Sequence, residues 1–326
     1  MRLKLVPADT HIDFFRFAKA TFGISILLVI ISLALLPTRG LNFGIDFKGG
    51  SMITTETPAE VPVADYRAVL SGLELGDYSV TEIVDPAAAL TGAAAHSMLI
   101  RIDQSDGDPA IQNDKIVAVK DALTAEIPEI TFLSTESVGA KVSGELVKSG
   151  FLAIALAVAA ILFYVWLRFE WQFALGAVAA LVHDVVLTLG MFSLLQIQFN
   201  LSIIAAILTI VGYSLNDTVV IFDRVRENLI KYKSRPLREV LNQSINETLS
   251  RTLMTSATTL VALIALYVLG GEVIRGFTFA MIWGVIVGTY STVFVASVIL
   301  LRLGVKRDWS KPDPAAAGTQ FAGGDS

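Results

Sequence analysis

Six runs of apolar residues, each close to the roughly 20 residues that carry a helix across a bilayer, divide this chain and dominate what it can fold into. They cover residues 18–36, 146–167, 173–195, 201–222, 252–269 and 277–301. In lipid the backbone must satisfy its own hydrogen bonds, so each run reads as a transmembrane helix. Composition agrees: 54% of residues are hydrophobic and only 17% are charged, against about 25% charged in a soluble domain. The first run is read as a retained helix rather than a cleavable signal. Charged and aromatic residues precede it, and Pro37-Thr38-Arg39-Gly40 is no small-residue cleavage site.

Basic residues in short loops mark the cytoplasmic side. Arg2, Lys4, Arg16 and Lys19 lie in or next to the amino-terminal segment 1–17, and Arg302, Lys306, Arg307 and Lys311 lie in the tail 302–326. Arg224, Arg226, Lys231, Lys233, Arg235 and Arg238 lie in the segment 223–251 between the fourth and fifth runs. An even number of spans puts all three on one side, so both termini are expected in the cytoplasm. The connections at 196–200 and 270–275 fall opposite, with Arg275 their only basic residue. Leu237, Val240, Leu241, Ile245 and Leu249 share one helical face, which predicts an amphipathic helix lying along the cytoplasmic membrane surface. The tail after Trp309 is rich in Pro, Ala and Gly and is expected to be disordered.

Residues 37–145, on the outer side, are too long and too patterned for a linker. The pattern predicts strands at 51–57, 78–84, 97–103 and 130–138, and helices at 63–73 and 109–127. Met98-Leu99-Ile100-Arg101-Ile102 alternates as a strand does, and Ile116, Val119, Leu123 and Ile127 fall on one helical face. The order βαββαβ is the ferredoxin-like arrangement, with 86–96 as a hairpin loop. The expected fold is thus a polytopic α-helical membrane protein with one α+β extracytoplasmic domain between its first two spans. That domain is acidic, which serves solubility.

Several function classes drop out. The net charge of -5, with no compensating basic block, argues against binding nucleic acid. The absence of cysteine removes thiolate chemistry, disulfides and cysteine metal sites. No G-x-x-x-x-G-K-[ST] motif is present, so no nucleotide site, cofactor or metal is expected.

Polar groups inside a span are costly and mark pathways, relays or pairs. His183-Asp184 lie near the middle of the third run. Asn216-Asp217 lie in the fourth, with Asp217 roughly 8 Å to the cytoplasmic side of centre at about 1.5 Å per residue. Arg251 opens the fifth run, with a side chain long enough to reach inward or to snorkel to the interface. A buried carboxylate near an arginine titrates according to how closely the cation sits, which is what a proton-carrying site needs. Tyr213 lies one turn before Asp217, placed to pack or to donate a hydrogen bond. Gly284 and Gly288 form a GxxxG spacing that suits close helix packing.

Other segments carry a resemblance. Phe43-Gly44-Ile45-Asp46-Phe47-Lys48-Gly49-Gly50 is similar to the G-I-D-F-x-G-G signature of the SecD/SecF translocase subunits. Val142-Ser143-Gly144-Glu145-Leu146, the stretch 164–169, Val182-His183-Asp184-Val185 and Arg251-Thr252-Leu253-Met254-Thr255-Ser256 match that family as well. The most specific match is Val211-Gly212-Tyr213-Ser214-Leu215-Asn216-Asp217-Thr218-Val219-Val220, continuing through 222–228. The likeness runs from Phe14 to Leu303, and the short outer domain implies the smaller member type. By resemblance, such a subunit pairs with SecD in a pseudo-symmetric unit like the resistance–nodulation–division exporters. It works with the SecYEG channel and the SecA motor, and uses the proton-motive force to draw unfolded polypeptides out across the bacterial inner membrane. The resemblance implies that Asp217 carries the proton, that Arg251 is its charged partner, and that Gly44, Asp46, Gly49 and Gly50 shape the junction of the first span with the outer domain. His183, Asp184, Tyr213 and Asn216 are supporting polar residues. Three other readings stay open on the residues alone: a related exporter of small molecules or lipids, an intramembrane protease using Asp184 and Asp217, and a subunit that only stabilises a partner.

Overall fold

The computed structural model describes residues 10–83, 96–104 and 109–305. The expected hairpin loop 86–96 and the tail after Trp309 lie, except for His96, outside the described residues, as do Arg2, Lys4, Lys306, Arg307 and Lys311.

One turn of 3₁₀ helix (Phe14–Phe17) leads into α1 (Ala18–Arg39), which ends at Gly40 with φ of 68°. A single helical turn, α2 (Ile45–Lys48), precedes the sheet domain. Its elements are β1 (Gly50–Thr57), α3 (Val63–Ser71), β2 (Tyr78–Ile83), β3 (His96–Asp103), α4 (Pro109–Glu126) and β4 (Thr131–Val138). All strand pairs are antiparallel in the order β2-β3-β1-β4, the order of a ferredoxin-like sheet. Ile53 pairs with Ile100 in register, and both are buried against Tyr66 and Leu70 of α3 and Val119 and Leu123 of α4. Ile116 and Ile127 complete the buried face that the sequence periodicity marked.

Six long helices form the rest: α1, α5 (Ala140–Arg168), α6 (Trp171–Leu195), α7 (Leu201–Lys231), α8 (Leu237–Leu269) and α9 (Glu272–Ser291). The last continues through a five-residue π turn (Thr292–Ala296) into α10 (Ser297–Leu303). All six are long and apolar enough to cross a membrane. They sort into two layers. In the most apolar stretch of α6, α7 and the α9–α10 helix, 50%, 50% and 67% of residues are buried, against 11% in α1, α5 and α8. The inner three therefore carry any chemistry that must be kept from lipid. Glycines set the spacing: a methyl on Gly176 would sit 2.9 Å from the Ala296 carbonyl, and one on Gly190 would overlap Ser32 of α1.

The segment 223–251 departs from the sequence reading. It is not a loop with a separate surface helix. α7 runs on to Lys231, and α8 starts at Leu237 behind Pro236 and continues unbroken through Arg251 to Leu269. The apolar face of its first turns is buried in protein: Val240, Leu241 and Ile245 pack with Val225 and Leu229 of α7 and with Phe15. Burial against α7 replaces burial in the lipid surface, so nothing breaks the helix where the fifth span was expected to begin.

Candidate functional site

The polar centre of the bundle is Asp184 on α6, which has 0% of its surface exposed. Its Oδ2 accepts hydrogen bonds from the Ser214 hydroxyl of α7 at 2.6 Å and the Ser291 hydroxyl of α9 at 2.8 Å. Its Oδ1 lies 2.9 Å from Nδ1 of His183. Three helices thus meet on one carboxyl group. A polar group buried away from water needs hydrogen-bond partners, and Asp184 has three: the Ser214 and Ser291 hydroxyls as donors and the His183 ring nitrogen. His183 Nε2 is buried without a partner. The imidazole stacks on Tyr290, with centroids 6.3 Å apart, and the Tyr290 hydroxyl lies 3.0 Å from Ser25 Oγ and donates to the Thr21 carbonyl at 2.9 Å, tying α1 to the same network.

Asp217 lies on α7, three residues beyond Ser214, and is 4% exposed. Its situation is the reverse of that of Asp184. Oδ2 has no hydrogen-bond partner, and the hydroxyl of Thr252 on α8 is likewise buried and unpartnered. Arg251 is the cation that acts on it through space, but the two form no ion pair within 4.0 Å among the described residues, and Arg251 is exposed. The two carboxyl groups share no hydrogen bond among the described residues. Asp184 has both oxygens engaged, whereas Asp217 Oδ2 has no partner.

Further hydroxyl contacts join the same helices and α8. Thr218 donates to the Ser214 carbonyl at 3.0 Å and meets Thr292, the first residue of the π turn, at 3.0 Å. Ser256 of α8 meets Thr289 of α9 at 2.8 Å, and the Tyr213 hydroxyl reaches Ser256 at 3.5 Å. A π turn inside a helix is often found at functional sites, and here it re-aims the residues after Ser291. The GxxxG spacing brings α9 onto α7: Gly284 lies over Ile210 and Gly288 over Ser214.

The glycine-rich segment after α1 forms a second cluster, where the sheet domain meets the bundle. Phe199 N donates to the Asn42 carbonyl at 2.7 Å, and Gly44 N donates to the Phe199 carbonyl at 2.8 Å. Gly44 precedes α2, and a methyl there would press on Phe199 O at 3.3 Å. Asp46 Oδ2 accepts from the backbone N–H of Leu201, the first residue of α7, at 2.9 Å. Gly49 and Gly50 have φ of 77° and 124°, and a methyl on Gly50 would sit 2.5 Å from the Ile102 carbonyl, so both positions require glycine.

Residues 118–306 match the family of the protein export membrane protein SecD/SecF, C-terminal, and residues 34–57 match the SecD/SecF GG motif. A protein translocase subunit SecF from Cereibacter sphaeroides is 57% identical over 98% of both chains. The chain belongs to the SecF branch of the SecD/SecF family. A SecDF protein of Brucella abortus is 46% identical over 94% of this chain and 39% of its own length. The crystal structure of SecDF from Thermus thermophilus, described as translocon-associated, superposes with a TM-score of 0.78 at 33% identity, covering 92% of this chain and 39% of that one. SecF-type chains thus stand alone in some relatives and form part of a longer polypeptide in others.

In this SecF member His183 and Asp184 are joined, Asp217 makes no hydrogen bond to either among the described residues, and Tyr213 reaches the hydroxyl network through Ser256. Asn216 is exposed on the outer side of α7, outside the carboxylate cluster. Ser214, Thr218, Ser291 and Thr292 were not singled out as site residues from sequence. Ser214 and Thr218 stood in the most specific matching stretch, and all four are hydroxyls inside apolar runs.

Proposed function

We propose that this chain is a protein translocase subunit of the bacterial inner membrane that pairs with SecD and couples the proton-motive force to the late movement of unfolded polypeptides through the SecYEG channel, behind the SecA motor. The observation that carries the coupling is the contrast on the inner helices: Asp184 engaged by two hydroxyl donors and the His183 ring, and Asp217 buried with an unpartnered oxygen and a cation only at a distance. Asp217 is the carboxyl that takes up and releases the proton, and Arg251 draws near when it is ionised. Ser214 is the tie of α7 to Asp184, which Ser291 joins from α9, so a change of charge at Asp217, three residues on, biases the position of α7 against α6 and α9. Each proton crossing supplies about 2.3 kcal/mol per 100 mV. Both termini lie in the cytoplasm, following the basic residues, and the sheet domain lies outside it. Support for SecD as partner comes from relatives in which both names join in one chain, and from the exposed Asn216 on α7, an amide that lipid would leave unsatisfied.

The test is complementation in bacterial cells depleted of their own SecF. This chain is expected to restore export of a secreted reporter and to copurify with SecD. Restored efflux of a small molecule or lipid without restored export would favour the exporter reading.

A further inference from the structure

We propose that Asp46 is the positioning residue that makes the sheet domain follow α7, a step that rests on Asp217 of α7 being the coupling group. The one-turn helix α2 lies between α1 and β1, far in sequence from α7, yet its carboxylate caps the first residue of α7. Asn200 already caps the same helix from within, accepting from Ile203 N at 3.3 Å. The Asp46 contact is therefore an added tie from another part of the chain, and a carboxylate at a helix N-terminus is favoured by the helix dipole.

The contact is built on both sides. Towards the bundle, the two backbone bonds between 42–44 and Phe199 fix the segment beside the start of α7, and the Phe43, Phe47 and Phe199 rings pack with centroids 5.7–6.0 Å apart. Towards the sheet, Arg101 of β3 donates to the Phe43 carbonyl at 2.9 Å, and Gly49–Gly50 lead directly into β1, the strand paired with both β3 and β4. From Leu201 to Asp217 α7 spans about 24 Å as one helix, at about 1.5 Å per residue. A shift of α7 near Asp217 moves its first residue by a similar amount. A hydrogen bond at 2.9 Å tolerates little stretching, so α2 and β1 move with it.

The chain has no cysteine, so Glu60→Cys in the sheet domain and Trp171→Cys at the start of α6, both exposed, place a pair of spin labels cleanly. The distance between them is measured with SecD in liposomes, with and without a proton gradient, alongside gradient-stimulated export. Asp46→Ala is expected to diminish the gradient-dependent change in distance and the stimulated export together, the backbone bonds to Phe199 carrying what remains. Assembly and the distance without a gradient should stay as they were, which a merely structural loss would not do. Asp46→Asn, which keeps an acceptor oxygen, should retain the response. Asp46→Leu, similar in size but without an acceptor, serves if the alanine variant fails to assemble. If Asp217→Asn abolishes the response and the Asp46 variants leave it intact, Asp46 does not transmit the motion and the coupling reading stands. If none of them alters the response, the coupling reading fails and the role of Asp46 fails with it.

Discussion

Replacing Gly284 with alanine tests the close approach of α7 and α9 that holds Ser214 and Ser291 on one carboxylate. The added methyl would lie 2.5 Å from Cδ1 and 2.7 Å from Cγ2 of Ile210, with Cγ1 equally crowded. Cγ1 and Cγ2 are carbons next to the backbone of a β-branched residue, which has one strongly preferred rotamer in a helix and cannot swing aside. Overpacking of this kind costs about 1–3 kcal/mol, and the better helix propensity of alanine returns up to about 1 kcal/mol. Gly284→Ala should therefore destabilise the bundle by about 1–2 kcal/mol. In an Ile210→Ala background the crowding carbons are gone, and the same methyl should stabilise by up to about 1 kcal/mol. The change of sign makes a coupling energy of about 2 kcal/mol, within the range for residues in direct contact. The assay is reversible unfolding in detergent of the parent, both single variants and the double variant. Effects additive to within about 0.5 kcal/mol would refute the packing argument.

Ser214→Ala and Ser291→Ala each remove one donor from Asp184 and should each cost about 1–3 kcal/mol in the same unfolding assay, with the double variant departing from the sum because both hydroxyls serve the same carboxylate oxygen. Gly50→Ala places a side chain at φ of 124° against Ile102 O and should destabilise the sheet domain by about 1–3 kcal/mol, read as its thermal unfolding. Asp13 clasps α8 from the amino-terminal segment, accepting from Asn242 at 2.8 Å and Arg238 at 2.9 Å; these bonds, the one from Asn242 foremost, hold its carboxyl below the ordinary value of 3.8. A depressed carboxyl contributes stability above its unfolded pKa and loses it as pH falls through the folded one. Protection of residues 10–14 from proteolysis should therefore persist down to about pH 3.8 and fail only below it, whereas Asp13→Ala should expose them at neutral pH.

The spans were legible because twenty apolar residues have no other use, and the ferredoxin-like domain was legible because its periods of 2 and 3.6 alternate cleanly. The continuity of α8 was hidden because an apolar face opposite Asn242 and Asn246 reads as a separate amphipathic helix on the membrane surface, while Val240, Leu241 and Ile245 bury against α7. Charged groups in a span stand out, so Asp184 and Asp217 were found. Ser214 and Ser291 were not, because a lone hydroxyl in an apolar helix can satisfy itself on its own backbone, and only the fold shows that these two reach Asp184. The tie between Asp46 and Leu201 spans 155 residues of sequence, beyond any local pattern. Arg251 was expected as the charged partner of Asp217; it acts on that carboxyl through space, with its side chain exposed and no ion pair to Asp217 within 4.0 Å among the described residues.

The central claim is that Asp217 carries the coupling proton. Secretion of a reporter polypeptide is measured in inverted vesicles carrying Asp217→Asn, with and without a proton gradient. Asparagine keeps the volume and removes the titration. Gradient-stimulated secretion is expected to vanish while the chain still assembles with SecD. Stimulation that survives intact would contradict it, and would leave Asp217 a structural residue.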